Sequence, residues 1–188
     1  MFIQTEATPN PNTLKFLPGQ AVLGEKTAFF TDRDNAKASP LASALFVLAD
    51  IRAVFFGSDF ITVTKTEAAQ WDALKPQILT TVMEHYQSGL PLMQPVKASA
   101  GTTENTKDYS ADEQEVVDQI KELLETRVRP AVAQDGGDII FHSFKEGIVR
   151  LEMHGACSGC PSSTATLKSG IENMLKHYIP EVLAVEPA

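Results

Sequence analysis

The chain has 188 residues, 43% of them hydrophobic, enough to form the core of one domain or of two small ones. Its formal net charge is −8, with 7 basic and 9 acidic side chains in residues 1–94 and 9 and 15 in residues 95–188; without a cluster of Lys and Arg, neither nucleic acid nor an anionic membrane surface is an expected partner. No apolar run approaches the roughly 18 residues of a membrane span, the start Met1-Phe2-Ile3-Gln4-Thr5-Glu6 has no basic leader or apolar signal region, and two closely spaced cysteines do not make an extracellular disulfide framework. A soluble protein of a reducing compartment is expected.

The first segment, Met1 to Phe16, alternates and breaks at Thr8-Pro9-Asn10-Pro11-Asn12, where two prolines remove backbone donors; this predicts a rigid loop between two short strands. Phe29-Phe30 can add an edge strand. Ser39-Pro40 opens a helix, the hydroxyl as cap and the proline at the first helical position, with Leu41, Leu45, Leu48 and Ile51 as candidates for one stripe. Ala53 to Phe56, the turn Gly57-Ser58-Asp59 and Phe60 to Thr64 read as a β-hairpin. A helix from about Glu67 to Gln87 carries Trp71, Leu74, Ile78, Val82 and Tyr86, and Gly89 supplies its stop. Residues 1–94 hold no nucleophile constellation, phosphate loop or ligand cluster.

Periodicity vanishes from Pro91 to Ser110, and the small polar run Ala98 to Lys107 has a linker composition, which places a domain boundary there and a flexible linker at 95–109. Ser110-Ala111-Asp112-Glu113 is a capping-box pattern opening a helix through Val116, Val117, Ile120, Leu123, Leu124 and Val128, predicted to end near Arg129-Pro130. Then come Asp135-Gly136-Gly137-Asp138, a strand Ile139 to Phe144, a turn at Lys145-Glu146-Gly147 and a strand Ile148 to Met153. The cysteine loop, an amphipathic helix from Ser162 to Lys176 and an edge strand at Val182 to Val185 complete the chain. The order predicts an α+β fold of two small two-layer domains, 1–94 and 110–188.

The only two cysteines, Cys157 and Cys160, form a C-x-x-C in Gly155-Ala156-Cys157-Ser158-Gly159-Cys160-Pro161. Two sulfurs so spaced serve a metal, an iron–sulfur cluster or a redox disulfide equally well. Cys160 stands just before a helix N-terminus, where unpaired N–H groups favour a thiolate. Clusters and closed zinc sites want four ligands and one chain supplies two thiolates. Either two chains pool cysteines, or other residues complete the shell, or the pair is a disulfide. His154 is close enough to be weighed as a third ligand, although a lone His at a strand end is more often a packing residue. Asp135 and Asp138 read first as a tight turn made possible by Gly136 and Gly137, with orienting the metal loop as the other reading.

Asp135-Gly136-Gly137-Asp138, the hairpin after it, Gly155 to Ser163 and Thr166-Leu167-Lys168 resemble the NifU C-terminal-type domain. Thr8-Pro9-Asn10-Pro11-Asn12-Thr13-Leu14-Lys15-Phe16, Ser39-Pro40-Leu41-Ala42, Val54-Phe55-Phe56-Gly57 and Asp59 to Val63 resemble the Nfu N-terminal domain. Together they are similar to the Nfu family of iron–sulfur cluster scaffold and carrier proteins over nearly the whole chain. The resemblance implies a non-enzymatic protein with Cys157 and Cys160 as its ligands. It implies a [4Fe-4S] cluster shared by a homodimer, with a [2Fe-2S] form as an intermediate, received from upstream assembly proteins and handed to apo iron–sulfur proteins. The N-terminal domain is expected to engage those partners. Because no targeting extension precedes the first domain, a bacterial cytosolic protein is expected, or a mitochondrial matrix protein if the sequence is a processed form. The rival uses of the same C-x-x-C are a thiol–disulfide oxidoreductase, whose motif ordinarily follows a thioredoxin-like first strand missing upstream here, and a zinc-stabilised interaction module.

Overall fold

A computed structural model describes residues 2–24, 26–94, 109–158 and 161–188, with the backbone alone for 161–164. The chain falls into two compact units, Met1–Ala98 and Ser99–Ala188. The linker expected at 95–109 lies outside the described residues except for Tyr109. Among the described residues no helix is long and apolar enough to cross a membrane.

The first unit is a five-stranded antiparallel sheet backed by helices. Its strands are β1 (Gln4–Ala7), β2 (Thr13–Leu17), β3 (Ala28–Phe30), β4 (Ile51–Phe56) and β5 (Ile61–Lys65), in the order β1-β2-β5-β4-β3. The Pro-Asn loop is pinned where β1 turns into β2. Thr8 Oγ1 donates to the Asn10 carbonyl at 2.9 Å, the Asn12 N–H donates to Asn10 Oδ1 at 3.0 Å, and Trp71 Nε1 donates to the Pro11 carbonyl at 3.0 Å. Three helices follow the sequence signals unevenly. Helix α2 (Pro40–Val47) starts as predicted, Ser39 Oγ accepting the Ala42 N–H at 3.1 Å. Helix α3 (Trp71–Ser88) begins four residues later than predicted and stops at Gly89, whose φ of 68° is left-handed. The short α1 (Arg33–Ala36), capped by Asp32, carries too little periodicity to be read from sequence. Phe16, Phe30, Leu41, Leu45, Val54, Phe56, Ile61, Val63, Ile78 and Val82 close the core.

The second unit opens with the capping box as predicted: Glu113 N–H donates to Ser110 Oγ, and the Ser110 N–H donates to Glu113 Oε2 at 3.0 Å. Helix α4 (Ala111–Leu123) does not end at Arg129-Pro130. It passes through a π-helical turn, Leu124–Val128, into α5 (Arg129–Gln134). Proline lacks an N–H and its ring presses on the carbonyl four residues back, and the wider turn, in which the Arg129 N–H reaches the Leu124 carbonyl, lets the helix continue past it. Strand β6 (Gly137–Lys145) pairs antiparallel with β7 (Ile148–Gly155) across a two-residue turn in which Glu146 and Gly147 both have positive φ, 52° and 79°. After α6 (Pro161–Tyr178), the predicted edge strand forms as β8 (Ala184–Pro187), parallel to β7. Val117, Ile120, Leu124, Val128, Val132, Ile139, Val149, Leu151, Ile171, Leu175 and Ile179 make a separate core. Both units are mixed helix and sheet, as the pattern predicts.

Candidate functional site

Cys157 lies in the turn that leaves β7. Gly155, at φ 66°, reverses the chain, the Ala156 N–H donates to the Gly136 carbonyl at 3.1 Å, and the Ser158 N–H donates to the Gly155 carbonyl at 3.1 Å. Gly137 and Gly155 face each other across the ladder, so the start of β6 forms a floor under the turn. That floor has to be bare. A Cβ on Gly137 would lie 2.7 Å from the His154 carbonyl oxygen and 2.8 Å from Cys157 Sγ, both closer than real Cβ contacts. The paired glycines of the Asp-Gly-Gly-Asp run therefore have two jobs: Gly136 turns at φ 81°, and Gly137 makes room for sulfur.

The sulfur sits inward. Cys157 is 7% exposed and packs in the cluster of Val128, Val132 and Ile139. Burial, and then the negative charges of Asp135 and Asp138, push the pKa of its thiol up to about 12. A thiolate is the metal ligand, so this side chain must shed a proton to bind, and it holds that proton firmly when no cation is near. The helix-terminus argument for an acidified thiol concerns Cys160, which lies outside the described residues.

Asp138, 4% exposed, does more than turn the chain. Arg129 grips it with both ends of the guanidinium, Nε to Oδ1 at 2.8 Å and Nη2 to Oδ2 at 2.9 Å, while Nη1 reaches Glu125 Oε1 at 2.6 Å. Asp138 Oδ1 also accepts the Ile139 N–H at 2.8 Å. A buried carboxylate is thus paired and hydrogen-bonded, and its partner fixes the backbone next to Gly137. Sequence reading singled out Asp138 and missed Arg129. The available signal was the second of two closely spaced arginines, Arg127 and Arg129, at the end of an apolar helical stripe, nine residues before the acid. Asp135 terminates α5. His154 is directed to Glu152, Nε2 to Oε1 at 3.0 Å, and among the described residues no three His, Cys, Asp or Glu side chains gather as a metal site. What the described residues bring together is one buried sulfur, a bare backbone floor and an ion pair that braces the floor.

Comparison with known proteins bears on both units. Residues 3–89 match the domain family described as scaffold protein Nfu/NifU N terminal, and residues 120–186 match the NifU-like domain. The NFU1 iron-sulfur cluster scaffold homolog, mitochondrial, of Drosophila persimilis is 51% identical over 187 residues, which are 99% of this chain and 64% of that protein. The protein of the same name from Drosophila willistoni is also 51% identical, over 99% of this chain and 63% of its own length. The chain thus spans a little under two thirds of these curated relatives. A solution structure of a NifU-like protein from Saccharomyces cerevisiae is 27% identical, covering 50% of this chain and 86% of that one with a TM-score of 0.46. These relatives correct the expectation of a bacterial cytosolic protein: they are Drosophila proteins named as mitochondrial. A leader is removed on import, so the first residues of a folded unit carry no address.

Proposed function

The chain belongs to the Nfu family of iron–sulfur cluster scaffold proteins, and from that premise we propose that it holds a [4Fe-4S] cluster between the Cys157 and Cys160 thiolates of two copies and passes it to apo-proteins. The observation that carries this reading is the seat of Cys157, half of the chain's only cysteine pair, on a braced turn within the NifU-like part. Four thiolates hold a cluster of this kind and each copy has two, which is the reason for the pairing. A [2Fe-2S] form is the expected intermediate. Cluster-assembly proteins are the proposed donors and apo iron–sulfur proteins the acceptors, with mitochondria as the compartment that the relatives' names favour. We assign cluster holding to residues 110–188 and partner engagement to 1–94.

Delivery proceeds by ligand exchange. An acceptor thiolate bonds to iron as the Cys157 thiolate leaves it, and no electrons change hands. The acceptor has given up a proton and the departing sulfur takes one up as it returns to its buried seat. A high thiol pKa in the empty site favours that return, so it favours release over permanent retention. The other use of the pair, thiol–disulfide exchange, calls for an accessible attacking sulfur, and Cys157 for its part is buried.

Anaerobic reconstitution with iron and sulfide tests the reading. The expected product absorbs broadly near roughly 400 nm, with about four irons and four acid-labile sulfides per pair of chains. Failure to retain iron or sulfide, with the cysteines cycling between thiol and disulfide instead, would overturn it.

A further inference from the structure

Two carboxylates flank the glycine floor under Cys157, and they are held in opposite ways. Asp138 is buried and taken up by Arg129, which reaches both of its oxygens, at 2.8 and 2.9 Å. Asp135 is exposed, and among the described residues no hydrogen bond or ion pair reaches its side chain. It stands at the last turn of α5, where its N–H donates to the Ala131 carbonyl at 3.4 Å. A negative side chain has the wrong sign for that place, because the carbonyl end of a helix is itself negative and favours Lys, Arg or His. A charge that opposes its own helix and has no partner does nothing for the fold. Its surroundings give it another use. Gly136 follows, and its carbonyl accepts the Ala156 N–H at 3.1 Å, so Asp135 and Cys157 stand on the outer side of the same hydrogen bond, next to the register that sets Gly137 against Gly155. After burial, Asp135 is the larger of the two charges that keep the Cys157 thiol protonated.

We propose that Asp135 loosens the hold of Cys157 on iron: its uncompensated charge opposes the thiolate that binds the cluster, and so sets how readily the cluster is handed on. The proposal rests on the bridging-cluster reading. Asp135 adds no bond and carries no proton in the exchange; iron still passes from the Cys157 sulfur to the acceptor's sulfur, and the departing sulfur takes up the proton. Asp138 does not serve the same end, because its charge is matched by Arg129 and its removal would take away the brace.

The test compares the full chain with Asp135→Asn and Asp135→Glu after anaerobic reconstitution, by the loss of absorbance near roughly 400 nm to an excess of a ferrous-iron chelator. Asp135→Asn should lose its cluster about tenfold more slowly than the parent, Asp135→Glu at the parent's rate, and the gap should narrow as salt is raised. A firmer helix end would also slow the loss, so a second readout has to move the other way. In the reduced, cluster-free chain carrying Cys160→Ser, alkylation of Cys157 by iodoacetamide, an uncharged reagent, should be several-fold faster with Asp135→Asn because more of the sulfur is thiolate, whereas a merely stiffer fold would slow it. An Asp135→Asn chain that loses its cluster as fast as the parent overturns the proposal, and so does alkylation no faster than the parent's. If neither chain retains iron, the bridging-cluster reading fails, and the alkylation rates alone decide whether Asp135 acts on the sulfur. Should Asp135→Asn fail to fold, Asp135→Ser replaces it in both measurements.

Discussion

The two units form the same kind of layer structure from different cores. In the first, Phe16, Phe30, Phe46 and Phe56 fill the space between a five-stranded sheet and its helices, and every member of the cluster is chemically inert. In the second, a smaller three-stranded sheet is packed mainly with Val, Ile and Leu, and one core position is a cysteine. The first unit can be altered without touching sulfur. In the second, whatever seats the sulfur also belongs to the fold, so the proposed function would couple stability to cluster holding there.

The sharpest way to break the comparison is Cys157→Ser. It should abolish cluster retention on reconstitution while both units stay folded, at a cost of about 1–2 kcal/mol in the second for a hydroxyl in an apolar seat. A normal iron and sulfide content in this variant would sink the ligand assignment. Phe56→Ala works from the other side: it should cost the first unit about 3–5 kcal/mol and leave the cluster content per pair unchanged. Trp71, the only tryptophan, lies in the first unit, so its fluorescence follows that unit's denaturation alone. Arg129→Ala should show the coupling. It strands a buried carboxylate beside the sulfur's floor, so about 2–3 kcal/mol should be lost by the second unit, together with weaker cluster retention. Amide exchange in β6 and β7 measures the first effect and iron content the second; stability lost with retention intact would mean that the brace serves only the fold.

The last effect is one of pH, and it shows only above the ordinary range. With a folded pKa near 12 against an ordinary thiol value of 9.0, Cys157 binds its proton more tightly in the native state. Its contribution to stability is therefore complete below about pH 9 and is lost as pH rises toward 12, by about 1.4 kcal/mol per unit. Urea midpoints of the second unit in the parent and in Cys157→Ala, compared over this range, isolate the contribution. Parallel curves would show that the seat does not hold the proton.

Local signals proved legible and distant ones did not. Ser39 with Pro40, Ser110 with Glu113, Gly89 and the Glu146-Gly147 turn each act within four residues, so the sequence displays them in full. Asp138 looked like half of a turn because its partner comes from another element, and the burial of Cys157 was not visible because its floor is a glycine on a neighbouring strand. The predicted helix end at Pro130 followed a sound local rule, but a change of helix type in the preceding turn overrode it. Spacing identified the cysteine pair, but the seat that holds its first member depends on contacts that spacing does not encode.

That change of helix type also works as a vernier. An α-helix advances about 100° per residue, and a turn that takes in one residue more shifts the angular phase of everything after it by about that amount. Arg129 is the first residue beyond the π turn, and its aim at Asp138 is set by how many residues precede it as well as by its own identity. The extra residue of the π turn holds that phase while the Pro130 ring clears the helix, so a deletion that closed the turn to an α-helical one would bring the ring back against the carbonyl four residues before it. The number of residues in this segment thus matters as well as their identity, because it makes the room in which Pro130 can sit within a continuing helix.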